Sequence, residues 1–343
     1  MKTKKKLSVI LLIICTVWAC KKADDLAPDD FLGFKKPSYF PEPAYTFEST
    51  PLTRETVELG RKLFYDGILS RDHTISCASC HISQNAFTHH GHDVSHGIDD
   101  QLGIRNSSSL VNLAWSTSFF WDGGVPTLDL SPIVPIHNPI EMDGNLENGL
   151  LQLQTHPQYP SLFQKAFGST AIETHQVLKA LSHFMVTLVS DNSKYDRVQR
   201  NETTFTTQEA RGYVLFQAKC NACHQEPLFT DFSFRDNGLG INPAKDLGRY
   251  EITQQEEDKL KFKVPTLRNL QYTAPYMHDG RIYTLQGVLN HYNKEIVLTD
   301  NLDPILKQNN GIPLSREEIE DLLAFLLTLN DESFITNKSF SQP

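Results

Sequence analysis

Ser76-Cys77-Ala78-Ser79-Cys80-His81 and Lys219-Cys220-Asn221-Ala222-Cys223-His224 decide how this chain folds. Each holds a Cys-x-x-Cys-His pentapeptide. Two thiols three residues apart can each add to a vinyl group of a haem, and the histidine that follows supplies an imidazole beneath the same porphyrin. Each motif therefore predicts one covalently attached c-type haem, two in all. Zinc is the competing reading, because paired Cys-x-x-Cys segments also build tetrahedral sites. Against it stand the 140 residues from Cys80 to Cys220 and the histidines, which a four-thiolate site does not need. Of the 6 cysteines, four lie in the motifs, Cys15 lies in an apolar run and Cys20 ends it, so no thiol remains for a structural disulfide.

The N-terminus predicts export. Lys2, Lys4, Lys5 and Lys6 form a charged n-region, Leu7 to Trp18 an apolar h-region, and Val17-Trp18-Ala19-Cys20 resembles a lipoprotein cleavage box. Residues 1–20 thus read as a lipoprotein-type signal peptide ending at an acylated Cys20, with a plain signal anchor as the alternative; the h-region is too short to span a bilayer. Either route carries the chain out of the cytoplasm, and the expectation is a periplasmic protein lipid-anchored to a bacterial membrane. Loss of residues 1–19 removes four lysines and moves the net charge from −9 to −13. Nucleic acid and anionic lipid surfaces are poor partners for such a chain, which leaves the lipid on Cys20 as its membrane contact. Residues 21–50, with Pro28, Pro37, Pro41 and Pro43 among Asp and Lys, read as a tether.

What remains suits two domains with one haem each, over residues 51–200 and 201–332, with a tail at 333–343. An internal repeat supports the division: Gly60-Arg61-Lys62-Leu63-Phe64 precedes the first motif and Gly212-Tyr213-Val214-Leu215-Phe216 the second. Each looks like the first helix of a cytochrome c fold, with Thr53 and Thr206 or Thr207 as N-caps. Each half closes on an amphipathic helix. Val177, Leu178, Leu181, Met185 and Leu188 keep helical spacing over 173–189, and Ser315-Arg316-Glu317-Glu318 is a capping box before Ile319, Leu322, Leu323 and Leu326. No alternating strand run is evident, and Gly, Pro and Asn mark long loops. The expected fold is all-α, two cytochrome c-like domains.

Several further segments now matter together. Arg105-Asn106 through Asn112, Phe120-Trp121-Asp122-Gly123, Asn138-Pro139-Ile140-Glu141-Met142, Val264-Pro265-Thr266-Leu267-Arg268-Asn269 and Ala274-Pro275-Tyr276-Met277-His278-Asp279-Gly280 lie around the two haem motifs. In this combination the chain resembles the bacterial dihaem cytochrome c peroxidase family, including its MauG-like branch, over roughly residues 50–330.

The resemblance implies a peroxidatic haem on His81 and an electron-transfer haem on His224. Glu141 matches the family's acidic residue on the peroxide side of the first haem, where one carboxylate can take a proton from the near oxygen of hydrogen peroxide and return it to the leaving oxygen. Trp121 matches a tryptophan between the haems that relays electrons; read alone it is an aromatic core position. His96, in Ser95-His96-Gly97, falls where family peroxidases carry a displaceable distal iron ligand, although His89, His90 and His92 crowd the same segment. A calcium ion held by Asn106 and the carbonyls of Thr273 and Pro275 is implied as well. One departure is Ser131, in the place of a glutamine that the family commonly sets ahead of its Asn-Pro-x-Glu motif, which puts the distal hydrogen-bond network in doubt.

The sixth ligand of the second haem stays open between two residues. Met277 offers a thioether in a loop, which raises the potential of an electron-transfer haem. Tyr292 aligns with the family's axial position, and it shares an i, i+3, i+4, i+7 apolar face with Leu285, Val288 and Leu289, whereas His291 points about 100° away. A phenolate there lowers the potential and favours high-valent iron. The expected function is reduction of hydrogen peroxide to water with electrons from a small cytochrome c or cupredoxin, in a protein whose relatives are often homodimers. The alternatives are a MauG-like oxidase and a non-enzymatic dihaem electron carrier.

Overall fold

A computed structural model of the protein describes residues 33–47 and 50–343. The expected signal peptide, Cys15, Cys20 and much of the expected tether lie outside the described residues. The helices are α1 (Arg54–Tyr65), α2 (Cys77–Cys80), α3 (Ile133–His137), α4 (Leu146–Thr155), α5 (Tyr159–Phe167), α6 (Thr174–Val186) and α7 (Lys194–Gln199). They continue as α8 (Thr207–Lys219), α9 (Tyr250–Thr253), α10 (Leu285–Lys294), α11 (Pro304–Asn309), α12 (Arg316–Leu327) and α13 (Glu332–Ile335). Among the described residues none is long and apolar enough to cross a membrane. The purely helical expectation needs one correction: β1 (Phe234–Arg235) and β2 (Phe262–Lys263) pair antiparallel in a short ribbon. Two residues per strand are too few to show a period of two in sequence.

Local chemistry starts the helices where the sequence predicts. Thr53 caps α1 by accepting from the Thr56 amide, and Thr206 and Ser315 form capping boxes with Glu209 and Glu318 ahead of α8 and α12. Each box satisfies amides that the first helical turn leaves without partners. Helix α6 stops at Val186, so Leu188 is buried just beyond the helix instead of within it.

Packing is organised by two helix pairs, α1 with α6 and α8 with α12. Both cross at a glycine. A Cβ on Gly60 would sit 1.8 Å from the Ala180 carbonyl oxygen, and one on Gly212 would sit 2.0 Å from that of Asp321, so no side chain fits at either crossing. The repeated Gly-x-x-Leu-Phe is thereby explained, since Gly sets the close approach and Phe64 and Phe216 fill the buried space one turn on.

The resemblance between the halves extends into their turns. Asn112 and Asn269, Phe120 and Met277, and Gly123 and Gly280 all adopt positive φ, and each pair is 157 residues apart. Bridges Phe119 to Val125 and Tyr276 to Ile282 close the same loop in each half. Arg268 ties distant segments together: it is fully buried and makes two 2.9 Å bonds to Asp196 and two more to the Pro227 carbonyl. The described chain packs as one compact unit.

Candidate functional site

A cavity of about 750 Å³ opens inside this unit, and both Cys-x-x-Cys-His motifs line it. The four motif thiols are unpaired. Among the described residues no group of three or more His, Cys, Asp or Glu side chains is arranged around a metal position, so the two thiol pairs do not converge into a zinc site. Burial pushes the Cys77 and Cys220 thiols up to about 12, which keeps them as thiols. Phe64, Leu181, Met185, Phe216, Leu322 and Leu326 supply much of the apolar wall. A flat apolar group bonded through two thiols fits such a lining.

The two motif histidines are already oriented. His81 Nδ1 lies 2.8 Å from the Phe87 carbonyl, and His224 Nδ1 lies 3.2 Å from those of Phe229 and Pro265. Each Nδ1 thus donates to backbone, which fixes the tautomer and leaves Nε2 with its lone pair for a metal. Burial lowers both imidazole pKa values, so the rings are held neutral, as ligation requires. Phe87 and Phe229 both adopt left-handed backbone, at φ 60° and 56°, a strained state for a bulky residue. In each half that geometry turns one carbonyl toward the histidine. Phe-Thr follows each motif, at Phe87-Thr88 and Phe229-Thr230, and this was the available signal for the carbonyl that orients the ring.

Glu141 faces the same cavity as His81. It comes from a turn built by Asn138, whose side-chain oxygen accepts from the Ile140 amide and whose carbonyl accepts from the Glu141 amide. The Asn138 amide also donates to Glu141 Oε1 at 2.7 Å. Burial raises the Glu141 pKa and the Asn138 bond opposes the rise, so this carboxylate holds a proton more readily than a solvated one. The Asn138-Pro139 dipeptide is the sequence sign of this turn, since Asx-Pro favours a side chain bonded to its own backbone. Ser131 lines the cavity with its hydroxyl donated to the Leu128 carbonyl at 2.8 Å. Asn138, not Ser131, is therefore the side chain that holds Glu141.

Trp121 lines the cavity as well, its indole N–H donating to the Asn106 carbonyl at 2.9 Å and its own carbonyl accepting from the Lys263 amide. Lys263 is a neighbour that sequence patterns did not single out; burial pulls its pKa down to about 8. Tyr292 and Met277 both line the cavity, and Asn237 Nδ2 lies 3.5 Å from the Met277 sulfur. Burial, with the thiols of Cys223 and Cys220 nearby, pushes the Tyr292 phenol up to about 12. His291 faces elsewhere and bonds the Asn237 carbonyl.

His96 is placed differently from these. Its neighbours Ser95 and Gly97 line the cavity, while its ring nitrogens engage Asp100 at 2.8 Å and His92 at 3.1 Å. Asn106, Thr273 and Pro275 each line the cavity. The Asn106 amide donates to the His92 and Asp93 carbonyls, so its side-chain oxygen is turned the other way, as a hard cation would need.

Comparison with known proteins agrees with this geometry. The family model described as di-haem cytochrome c peroxidase matches residues 54–204. The methylamine utilization protein MauG of Methylophilus methylotrophus is 34% identical over 93% of this chain and 92% of its own length. The cytochrome c551 peroxidase of Nitrosomonas europaea is 32% identical over 82% of each chain. Among solved structures, a MauG-like protein associated with microbial copper homeostasis superposes with a TM-score of 0.81 at 32% identity, covering 90% of this chain and 98% of that one.

Proposed function

The chain belongs to the di-haem cytochrome c peroxidase family, whose members are oxidoreductases with two c-type haems, and from that premise we propose that it reduces hydrogen peroxide to water beside His81 and Glu141. One observation carries the reading: a carboxylate raised in pKa by burial and aimed by Asn138 shares a cavity with an imidazole whose Nε2 is free for iron.

When bound, the haems supply the iron that accepts peroxide and the path for two electrons. Glu141 does the proton work, taking a proton from one peroxide oxygen and delivering it to the other as the O–O bond breaks. With two electrons and two protons, one peroxide yields two waters. Electrons enter from a small cytochrome c or cupredoxin at the half that carries His224, and Trp121 relays them, its indole fixed by Asn106 between the motifs. His96 serves as a displaceable distal ligand only after its ring leaves Asp100 and His92, which makes that ligation a switched state. Calcium is held by Asn106 with the Thr273 and Pro275 carbonyls. The two lobes divide near residue 200, and the protein works in the periplasm, lipid-anchored through Cys20 and able to pair as a homodimer.

Tyr292 favours a second reading. Its phenol lines the cavity with Cys220 and Cys223, and iron there would have to displace the phenol proton that burial holds in order to bind a phenolate; such ligation goes with a MauG-like oxidation of an organic or protein substrate. Holoprotein mixed with peroxide and a reduced small cytochrome c tests the first reading. Oxidation of two donors per peroxide is expected, and no oxidation above that by free haem overturns it.

A further inference from the structure

The offset of 157 residues that relates the turns of the two halves also pairs Asn106 with Lys263. The backbone treats the two alike. The Asn106 backbone amide donates to the His278 carbonyl at 2.7 Å and the Lys263 backbone amide to the Trp121 carbonyl at 2.7 Å, and Trp121 and His278 are themselves 157 apart. Thr273 and Pro275, read above as carbonyl ligands of calcium, pair by the same offset with Ser116 and Ser118. These too stand on matching turns, since the Ser116 amide donates to the Leu113 carbonyl and the Thr273 amide to the Leu270 carbonyl. One cation-binding frame is therefore repeated, each time with a side chain from one half directed to a turn of the other.

What differs is the side chain that reaches in. At 106 it is a neutral amide. At 263 it is an amine, whose Nζ donates to the Ser118 carbonyl at 2.6 Å and lies 3.4 Å from the Ser116 hydroxyl oxygen. The Ser118 carbonyl thus accepts from an ammonium where its mate, the Pro275 carbonyl, is read as facing a metal ion. Burial holds the Lys263 pKa down at about 8, which leaves the amine charged at neutral pH. Among the described residues the other cations that line the cavity, Arg105, Lys219, Arg235 and Arg268, each pair with a carboxylate, whereas Lys263 has only neutral oxygens. An ammonium drawn into the cavity wall without a counter-charge is costly, and neutral oxygens are the ligands that a hard cation takes.

We propose that the Lys263 ammonium is a built-in cation that fills the repeat mate of the calcium site, so that the cavity wall carries one exchangeable positive centre and one that is covalently tethered. The proposal rests on the reading of Asn106, Thr273 and Pro275 as calcium ligands. An ε-ammonium is a compact point charge on a flexible stem, which suits it to stand in for a metal ion, and no chelator can remove it. The frame of Ser116, Ser118 and residue 263 is then a latent calcium site. Exchanging the ammonium for the neutral amide of its mate opens that frame to calcium.

The test is the calcium stoichiometry of the holoprotein, measured by equilibrium dialysis against calcium up to about 1 mM, the weak end of protein calcium sites, with haem absorption as the check on assembly. Wild type is expected to hold one calcium per chain and Lys263→Asn two. Lys263→Met should hold one, since a thioether adds no oxygen ligand. In the converse exchange, Asn106→Lys should hold none yet unfold near the temperature of calcium-loaded wild type, and Asn106→Ala well below it, because a bound cation stabilises the folded state. If Lys263→Asn fails to assemble its haems, the Asn106→Lys comparison decides alone. If Lys263→Asn assembles both haems and still holds one calcium, or Asn106→Lys unfolds together with Asn106→Ala, the built-in cation is wrong and the calcium reading stands. A wild type that holds no calcium overturns that reading, and the built-in cation with it.

Discussion

In the first half of the molecule the turn from Phe119 to Gly123 leads through Thr127 into short helical turns, α3 among them, and on to Glu141; in the second half the matching turn from Tyr276 to Gly280 leads through Thr284 straight into the longer α10, which carries Tyr292. Up to these threonines the halves share their glycine crossings, their left-handed Phe after the motif and their turn geometry, with Phe120 standing where Met277 stands. Past them the shared plan stops. The scaffold that orients a proximal histidine is common to both sites, and what differs is the residue presented to the rest of the cavity: a carboxylate with raised proton affinity on one side, a phenol or thioether on the other. The two sites become unequal through one divergent segment.

That inequality can be attacked in several ways. Glu141→Gln should slow the reaction with peroxide about 10²–10⁴-fold, the span of general acid–base catalysis, while the spectrum of the second haem holds. A rate within a factor of a few of wild type, measured by rapid mixing, would erase the difference between the sites. Arg268→Ala breaks a fully buried pair and should lower stability by about 3–5 kcal/mol, read from denaturant unfolding of the holoprotein. Because Arg268 also holds the Pro227 carbonyl, the second haem should loosen first.

The ligand pair comes next in size. Tyr292→Phe should move the second haem's potential by a few hundred millivolts, within the ~0.8 V that axial ligands span, and Met277→Leu should leave it nearly unchanged. The opposite pattern makes Met277 the ligand. Asn138→Ala has the smallest expected effect. Asn138 works against the upward push of burial on Glu141, so its loss raises that pKa further. Activity needs the carboxylate, hence the acid limb of the pH–rate profile should shift to higher pH. Stability runs the other way: with a folded pKa above the unfolded one, this group's contribution is greatest below the usual glutamate range and is lost as pH rises through the folded value.

Much of this was legible before the fold was known. The haem motifs, the capping box at Ser315, the N-cap that Thr206 rather than Thr207 supplies, and the Gly-x-x-Leu-Phe repeat are local patterns, and each meets its structural counterpart in place. What escaped depends on contacts between distant segments. The His96 ring turns to His92 and Asp100 because of how its loop closes, which a count of residues after His81 does not contain. Asn138 holds Glu141 through a four-residue turn, yet its importance shows only when both face the cavity. The Phe87 and Phe229 carbonyls matter through a left-handed backbone that the repeated Phe-Thr marks in sequence without revealing what it does.

The difference between the sites is tested most directly by a potentiometric titration of the wild-type holoprotein followed by electron paramagnetic resonance, with and without cyanide as a probe for an open iron position. Two separated potentials are predicted, with cyanide binding the first haem and leaving the second, six-coordinate one as it was. A single shared potential, or cyanide binding equally at both haems, would contradict the account.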